Sequence, residues 1–214
     1  MKLELLDGCT FLIISDEGVR IIVDPYMHNY IPENPPPGPE SNRPPVAEFA
    51  DIVTISHAHF NYSYVYTVKG VPQLYSGGAP AEIKGVKFTS AVGWHYDTEY
   101  ESGPQGLVNM IGIEVDGIRM RHMGDYGQKE LLDEQLQQIG KVDILMTRWL
   151  DWTPKLLEQI KPKVVIPMHA EKPDAFMNSL KGFTQMNASD IEFEVSTLPK
   201  EMKCILLKPS RIAP

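Results

Sequence analysis

ADIVTISHAHFNY, Ala50 to Tyr62, decides how this chain is read. Ala50 to Ile55 is an apolar run of strand length. Two histidines, His57 and His59, follow it one residue apart. In extended backbone, residues i and i+2 point to the same side, so both imidazoles can reach one ion. Such a pair is a weak signal alone, because a lone histidine is most often a surface or satisfied core residue. Its weight depends on what the other strand ends contribute.

The pattern recurs outward from this stretch. Asp24 ends the apolar run Val19 to Val23, and His169 directly follows Val164 to Met168. Asp125 follows the strand Ile118 to Met123, which contains His122, and His95 sits in the loop after Val86 to Val92. Strand ends that converge on one sheet edge are where α/β proteins place their sites. Nitrogen and oxygen donors from several such ends suit zinc, manganese or iron.

The remaining elements fit that frame. Cys9 to Ile14 and Val19 to Val23, divided by Asp16-Glu17-Gly18, read as a hairpin. Asp116-Gly117 joins Val108–Val115 to Ile118–Met123 in the same way. Gln128 to Ile139 spaces Leu131, Leu132, Leu136 and Ile139 along one helical face. Val142–Met146 then reads as a strand, Pro154–Ile160 as a helix and Val164–Met168 as a strand. Pro173–Leu180 reads as a helix, and Ile191–Val195 and Met202–Leu207 as closing strands. A β-rich start, then β-α-β-α-β, then β, predicts a layered α/β form such as an αββα sandwich, in one domain over residues 1–214. Residues 30–45 carry NPPPGPE and NRPP. Proline lacks the N–H and clashes inside a helix, so this stretch reads as a surface loop, either a lid or an ornament.

Composition narrows the function. With 214 residues, 43% of them hydrophobic, the chain can bury a sizeable core. A net charge of -8 without a Lys/Arg cluster argues against nucleic acid and favours a small-molecule substrate. Cys9 and Cys204 make neither a disulfide framework nor a zinc knuckle, and a reducing cytoplasm is expected. Glu4 and Asp7 near the start do not fit a signal peptide. No apolar run approaches the ~18 residues that span a bilayer, so no membrane role is expected.

The segments TFLIISDEGVRIIVDPY, ADIVTISHAHFNY, GWHYD, IEVDGIRMRHMGDYG and IKPKVVIPMH resemble the metallo-β-lactamase superfamily. Within it they are most similar to the bacterial metal-dependent hydrolases that include the ascorbate-6-phosphate lactonase type. The resemblance covers nearly the whole chain. It implies a four-layered αββα sandwich with the metal site at the edge between two sheets. It also implies that His57, His59 and His95 hold one metal, that Asp125 is the bridging aspartate and His169 the final histidine, and that Asp24 supports the site from behind. His122 is the rival of His95, though its place inside a strand suits a supporting or core residue better. One zinc ion is expected, with manganese or iron as alternatives. Three histidines leave a fourth position for water, whose pKa zinc lowers to about 7.

The superfamily motif His-x-His-x-Asp-His reads here His57-Ala58-His59-Phe60-Asn61-Tyr62, so its last two ligands differ. Asn61 offers only a neutral carbonyl oxygen, and Tyr62 binds metal well only as a phenolate, whose ordinary pKa is about 10. A second ion would be held poorly. The expected activity is mononuclear hydrolysis of a small ester, lactone or phosphodiester, with Asp125 as ligand or base. The alternative is an inactive relative that binds or senses a small anionic ligand, since Asn61 cannot accept a proton. A third reading is an iron oxidoreductase with Tyr62 as phenolate ligand.

Arg148 lies in Thr147-Arg148-Trp149-Leu150-Asp151-Trp152, where many relatives have a small loop. It could replace part of the missing charge, by pairing with Asp125 or by holding a substrate carboxylate or phosphate. A surface ion pair is the plainer alternative. Trp149 and Trp152 read as pocket mouth or core, and the alternating Tyr62, Tyr64 and Tyr66 as a strand face or, less favoured than packing, a pocket wall.

Overall fold

The structure is a computed structural model that describes residues 1–28, 44–58, 62–95, 106–169, 183–186 and 188–211. His59, Asn61, the helix expected at Pro173–Leu180 and nearly all of the proline-rich loop lie outside them. In chain order the first strands are β1 (Lys2–Asp7), β2 (Thr10–Ile14), β3 (Arg20–Val23), β4 (Ile52–Thr54) and β5 (Gln73–Tyr75). They are followed by β6 (Ala81–Ile83), β7 (Val86–Trp94), β8 (Leu107–Val115) and β9 (Ile118–His122). Helix α1 (Asp133–Ile139), β10 (Ile144–Arg148), α2 (Thr153–Ile160) and β11 (Val164–Met168) come next. The chain closes with β12 (Phe183–Gln185), β13 (Asp190–Glu192) and β14 (Lys203–Leu206).

Two mixed sheets result. One has the order β13-β1-β2-β3-β4-β5 and the other β12-β14-β11-β10-β9-β8-β7-β6. Their inner faces meet in one apolar core. Phe11 of β2 meets the His122 ring of β9 at 5.9 Å, and Tyr75 of β5 meets Phe88 of β7 at 5.1 Å. This is the layered sandwich that the β-rich start and the later α/β alternation foretell.

The parallel strands explain the site's location. β3 pairs parallel with β4, and β10 pairs parallel with β9 on one side and β11 on the other. All five residues of β11 are buried, as expected for a parallel strand covered on both faces. The C-terminal ends of these strands carry Asp24, His57, Asp125, Arg148 and His169 toward one edge.

Several expectations need correction. The helix read from Gln128 begins only at Asp133. Gln159 of α2 takes the Leu131 N–H on Oε1 and donates from Nε2 to the Leu131 carbonyl, both at 3.0 Å. That tertiary bracket holds residues 128–132 out of the helix despite their helical spacing. β10 continues through Arg148, so Arg148 stands on a strand end rather than in a loop. β13 stops at Glu192, and Val195 begins a short 3₁₀ turn. The tyrosines form no strand face: Val65–Thr67 is a 3₁₀ turn, Tyr62 is buried and Tyr66 is 84% exposed. β1, whose burial pattern is irregular, has no counterpart in the sequence reading. Both cysteines are buried and free. Among the described residues no helix is long and apolar enough to cross a membrane.

Candidate metal centre

Asp125 is the hub. Its Oδ2 lies 3.6 Å from His95 Nε2 and 3.9 Å from His57 Nε2. Its Oδ1 lies 3.0 Å from Arg148 Nη1 and 3.6 Å from His169 Nε2. The rings of His57 and His95 are 4.8 Å apart. One donor atom from each of His57, His95 and Asp125 falls within 4.8 Å of the others. The structure therefore brings His57, His95, Asp125, His169 and Arg148 together, as the convergent strand ends require.

The orientation of His57 is built from behind. Asp24 is fully buried, and it accepts the Ser56 N–H on Oδ1 at 2.7 Å and the Ser56 hydroxyl on Oδ2 at 2.5 Å. With that proton committed to Asp24, the Ser56 Oγ lone pair can only receive from His57 Nδ1, 2.8 Å away. His57 is thereby held as the Nδ1–H tautomer, with the Nε2 lone pair turned toward Asp125. Burial pushes the Asp24 carboxyl pKa up, partly offset by His122 and by the Ser56 donors.

His122 plays a different part from His95. Its Nδ1 accepts the Gly124 N–H at 3.2 Å, so its Nε2 carries the proton and donates to the Cys9 carbonyl at 3.0 Å. Both ring nitrogens are used inside the fold, and the residue is fully buried. Cys9, Asp24 and His122 also bring donor atoms within 4.8 Å of one another. Burial, then the charge of Asp24, pushes the Cys9 thiol well up, which disfavours the thiolate a metal needs.

His169 and Asp24 both adopt left-handed backbone, with φ of 51° and 46°. Non-glycine residues in that region cost energy and cluster at functional sites. The His169 N–H donates to the Gly8 carbonyl at 3.1 Å, and its ring meets Tyr62 edge-on at 5.1 Å. A Cβ on Gly8 would lie 2.6 Å from the Tyr62 hydroxyl, so glycine there lets Tyr62 pack beneath His169. Trp149 is half-buried against the core, and Trp152, also half-buried, precedes the first turn of α2.

Electrostatics favour an ionised Asp125. Burial raises its pKa, but His169, Arg148, His57 and His95 outweigh that and hold it below the ordinary aspartate range. The donor set fits a divalent ion. Two ligands each about 2.1 Å from a tetrahedral zinc stand about 3.4 Å apart. The spacings of 3.6 and 3.9 Å around Asp125 Oδ2 are close to that. Imidazoles with one carboxylate suit zinc, iron or manganese better than calcium.

The roles of two neighbours of this arrangement, Ser56 and Gly124, emerge only from the packing. Ser56 could have been suspected only from its place just before His57. Gly124 has φ +58°, and a Cβ there would sit 2.5 Å from Val108 Cγ2 and 2.7 Å from Ser56 Oγ. Glycine is required so that the Asp125 turn can close against Ser56.

Fold and site together define a metallo-β-lactamase-type sandwich with a histidine–aspartate edge site. Residues 2–169 match the family model of the β-lactamase superfamily domain, and the chain belongs to that superfamily. A metal-dependent hydrolase of Thermococcus onnurineus is 26% identical over 204 residues, covering 79% of this chain and 84% of the relative. One from Carboxydothermus hydrogenoformans is 28% identical over 202 residues, covering 79% and 84%. A solved metallo-β-lactamase superfamily structure from Thermotoga maritima superimposes with a TM-score of 0.73 at 21% identity, covering 96% of this chain and 97% of that one.

Proposed function

We propose that this chain, acting as one domain, is a one-metal hydrolase of a small ester, lactone or phosphodiester. The observation that carries the reading is the convergence of His57 Nε2, His95 Nε2 and Asp125 Oδ2 on one point at the sheet edge, with the His57 tautomer fixed from behind. His59, two residues from His57, is proposed from the sequence as the third imidazole. Zinc is the preferred ion, with manganese or iron as alternatives. A zinc ion held there would lower the pKa of a bound water to about 7 and so supply hydroxide at neutral pH.

The chain's own groups do the rest. Asp24 and Ser56 keep His57 turned toward the site. Asp125, held ionised beside Arg148 and the imidazoles, offers Oδ2 to the ion. His169 braces Asp125 from the Oδ1 side. Asn61 and Tyr62 in place of an acid and a histidine support one ion rather than two. The free, buried cysteines suit a reducing cytoplasm.

Elemental analysis of purified protein should give about one ion per chain. Turnover of bis(4-nitrophenyl) phosphate or a simple lactone should vanish with a chelator and return with zinc. Metal-replete protein that hydrolyses no member of a broad ester, lactone and phosphodiester panel would replace this reading with a binding or sensing role.

A further inference from the structure

The two oxygens of Asp125 face different company. Oδ2 faces His57 and His95, whereas Oδ1 faces His169 and the Arg148 guanidinium at 3.0 Å. A carboxylate can bridge two ions by giving one oxygen to each. Here, Oδ1 and His169 would be the donors of a second ion, and a permanent cation already stands beside them. A divalent ion next to a guanidinium in a partly buried site meets strong like-charge repulsion.

We infer that Arg148 takes the place of a second metal: it limits the centre to one ion and supplies the fixed positive charge that receives an anionic group of the substrate. This rests on the one-metal reading above and extends it to the substrate's charge. Arg148 ends β10, opposite Met168 in register, so the strand pair β10–β11 delivers Arg148 and His169 to the same oxygen. Its side chain is 24% exposed while that of Asp125 is 9% exposed. The guanidinium therefore forms the solvent-facing side of the pair and meets an incoming ligand before the carboxylate does. One divalent ion and the Arg148 guanidinium against the single carboxylate of Asp125 leave the front of the loaded centre positively charged. That matches a phosphate or another compact anion, and a planar guanidinium offers paired donors to it.

The test is calorimetry of inorganic phosphate binding to the zinc-loaded protein, with zinc counted in each sample. The parent should hold one zinc. Arg148→Met should weaken phosphate binding by about tenfold or more, and Arg148→Lys, which keeps the charge, by less than about threefold. Arg148→Gln replaces the Met variant should that chain fail to fold by circular dichroism. Unchanged phosphate affinity in the neutral variants, or two zinc ions in the parent, overturns the inference. Arg148-dependent phosphate binding without any hydrolysis upholds it and removes only the hydrolase reading.

Discussion

Two sets of metal-capable side chains lie on either side of Ser56. In front are His57, His95 and Asp125; behind are Cys9, Asp24 and His122. Each set brings its donor atoms within 4.8 Å, so spacing does not separate them. Protons do. In the rear set both His122 nitrogens and both Asp24 oxygens are engaged by Gly124, Cys9 and Ser56, and burial keeps the Cys9 thiol protonated. In the front set the Ser56 hydroxyl fixes the proton on His57 Nδ1 and leaves Nε2 as a donor. The front set is thus distinguished from its own support by where hydrogen bonds commit the protons.

The largest expected effect is at the front. His57→Ala should empty the centre and lower kcat/KM by roughly 10³-fold or more, since both the ion and the water it activates are lost. Metal retained at about one per chain in this variant would break the comparison at once. Next comes His122→Leu. It leaves the Gly124 N–H and the Cys9 carbonyl unsatisfied in the core, and should cost about 2–4 kcal/mol in urea denaturation. Its metal content should stay at one ion per chain. A loss of metal as complete as in His57→Ala would mean that the rear set also ligates.

Ser56→Ala sharpens the boundary between the sets. The hydroxyl links Asp24 to the His57 ring. Without it the tautomer is no longer imposed, and zinc affinity should fall by about 10–100-fold, as for other groups that orient ligating histidines. Competition with a chromogenic chelator measures this directly. An unchanged affinity would show that His57 is oriented by packing alone.

The sequence makes the site residues legible because they sit at the ends of apolar runs, where strand periodicity fixes both position and direction. Asp24, His57, Asp125 and His169 all come from that rule. Ser56, Gly124 and Gly8 follow a different one. Their roles depend on which strands become neighbours, and no local pattern encodes a hydrogen bond from residue 56 to residue 24. The start of α1 was hidden for the same reason: Gln159, 28 residues away, decides the conformation at Leu131. The Asp125–Arg148 contact is intermediate. Arg148 stands out as a cation beside a strand end, but its partner is set by the register of β10 on β9, where Met146 lies opposite His122.

The smallest effect concerns a charge cluster at the other ends of the same strands. Asp143, just before β10, accepts from Arg119 Nε at 2.8 Å, Arg119 Nη2 at 3.0 Å and the Arg119 N–H at 3.1 Å, and pairs with Lys163 at 2.9 Å. Burial alone would raise its pKa, but hydrogen bonds from Arg119 and Lys163 outweigh it and bring the carboxyl to about 2. A folded pKa below the unfolded one stabilises at pH values above the unfolded pKa, near 4. The contribution is therefore complete at pH 7 and is lost as the pH falls from about 4 to about 2. Because Arg119 and Lys163 are 40% and 43% exposed, solvent screens the pairs, and about 1–2 kcal/mol is expected. Asp143→Asn should lower stability by that amount at pH 7 with metal content unchanged, and the gap from the parent should narrow toward pH 2. A gap that stays constant with pH would assign the loss to packing rather than charge. A loss of metal would mean that the two ends of the sheet are coupled, against the local logic that separates the front set from everything behind it.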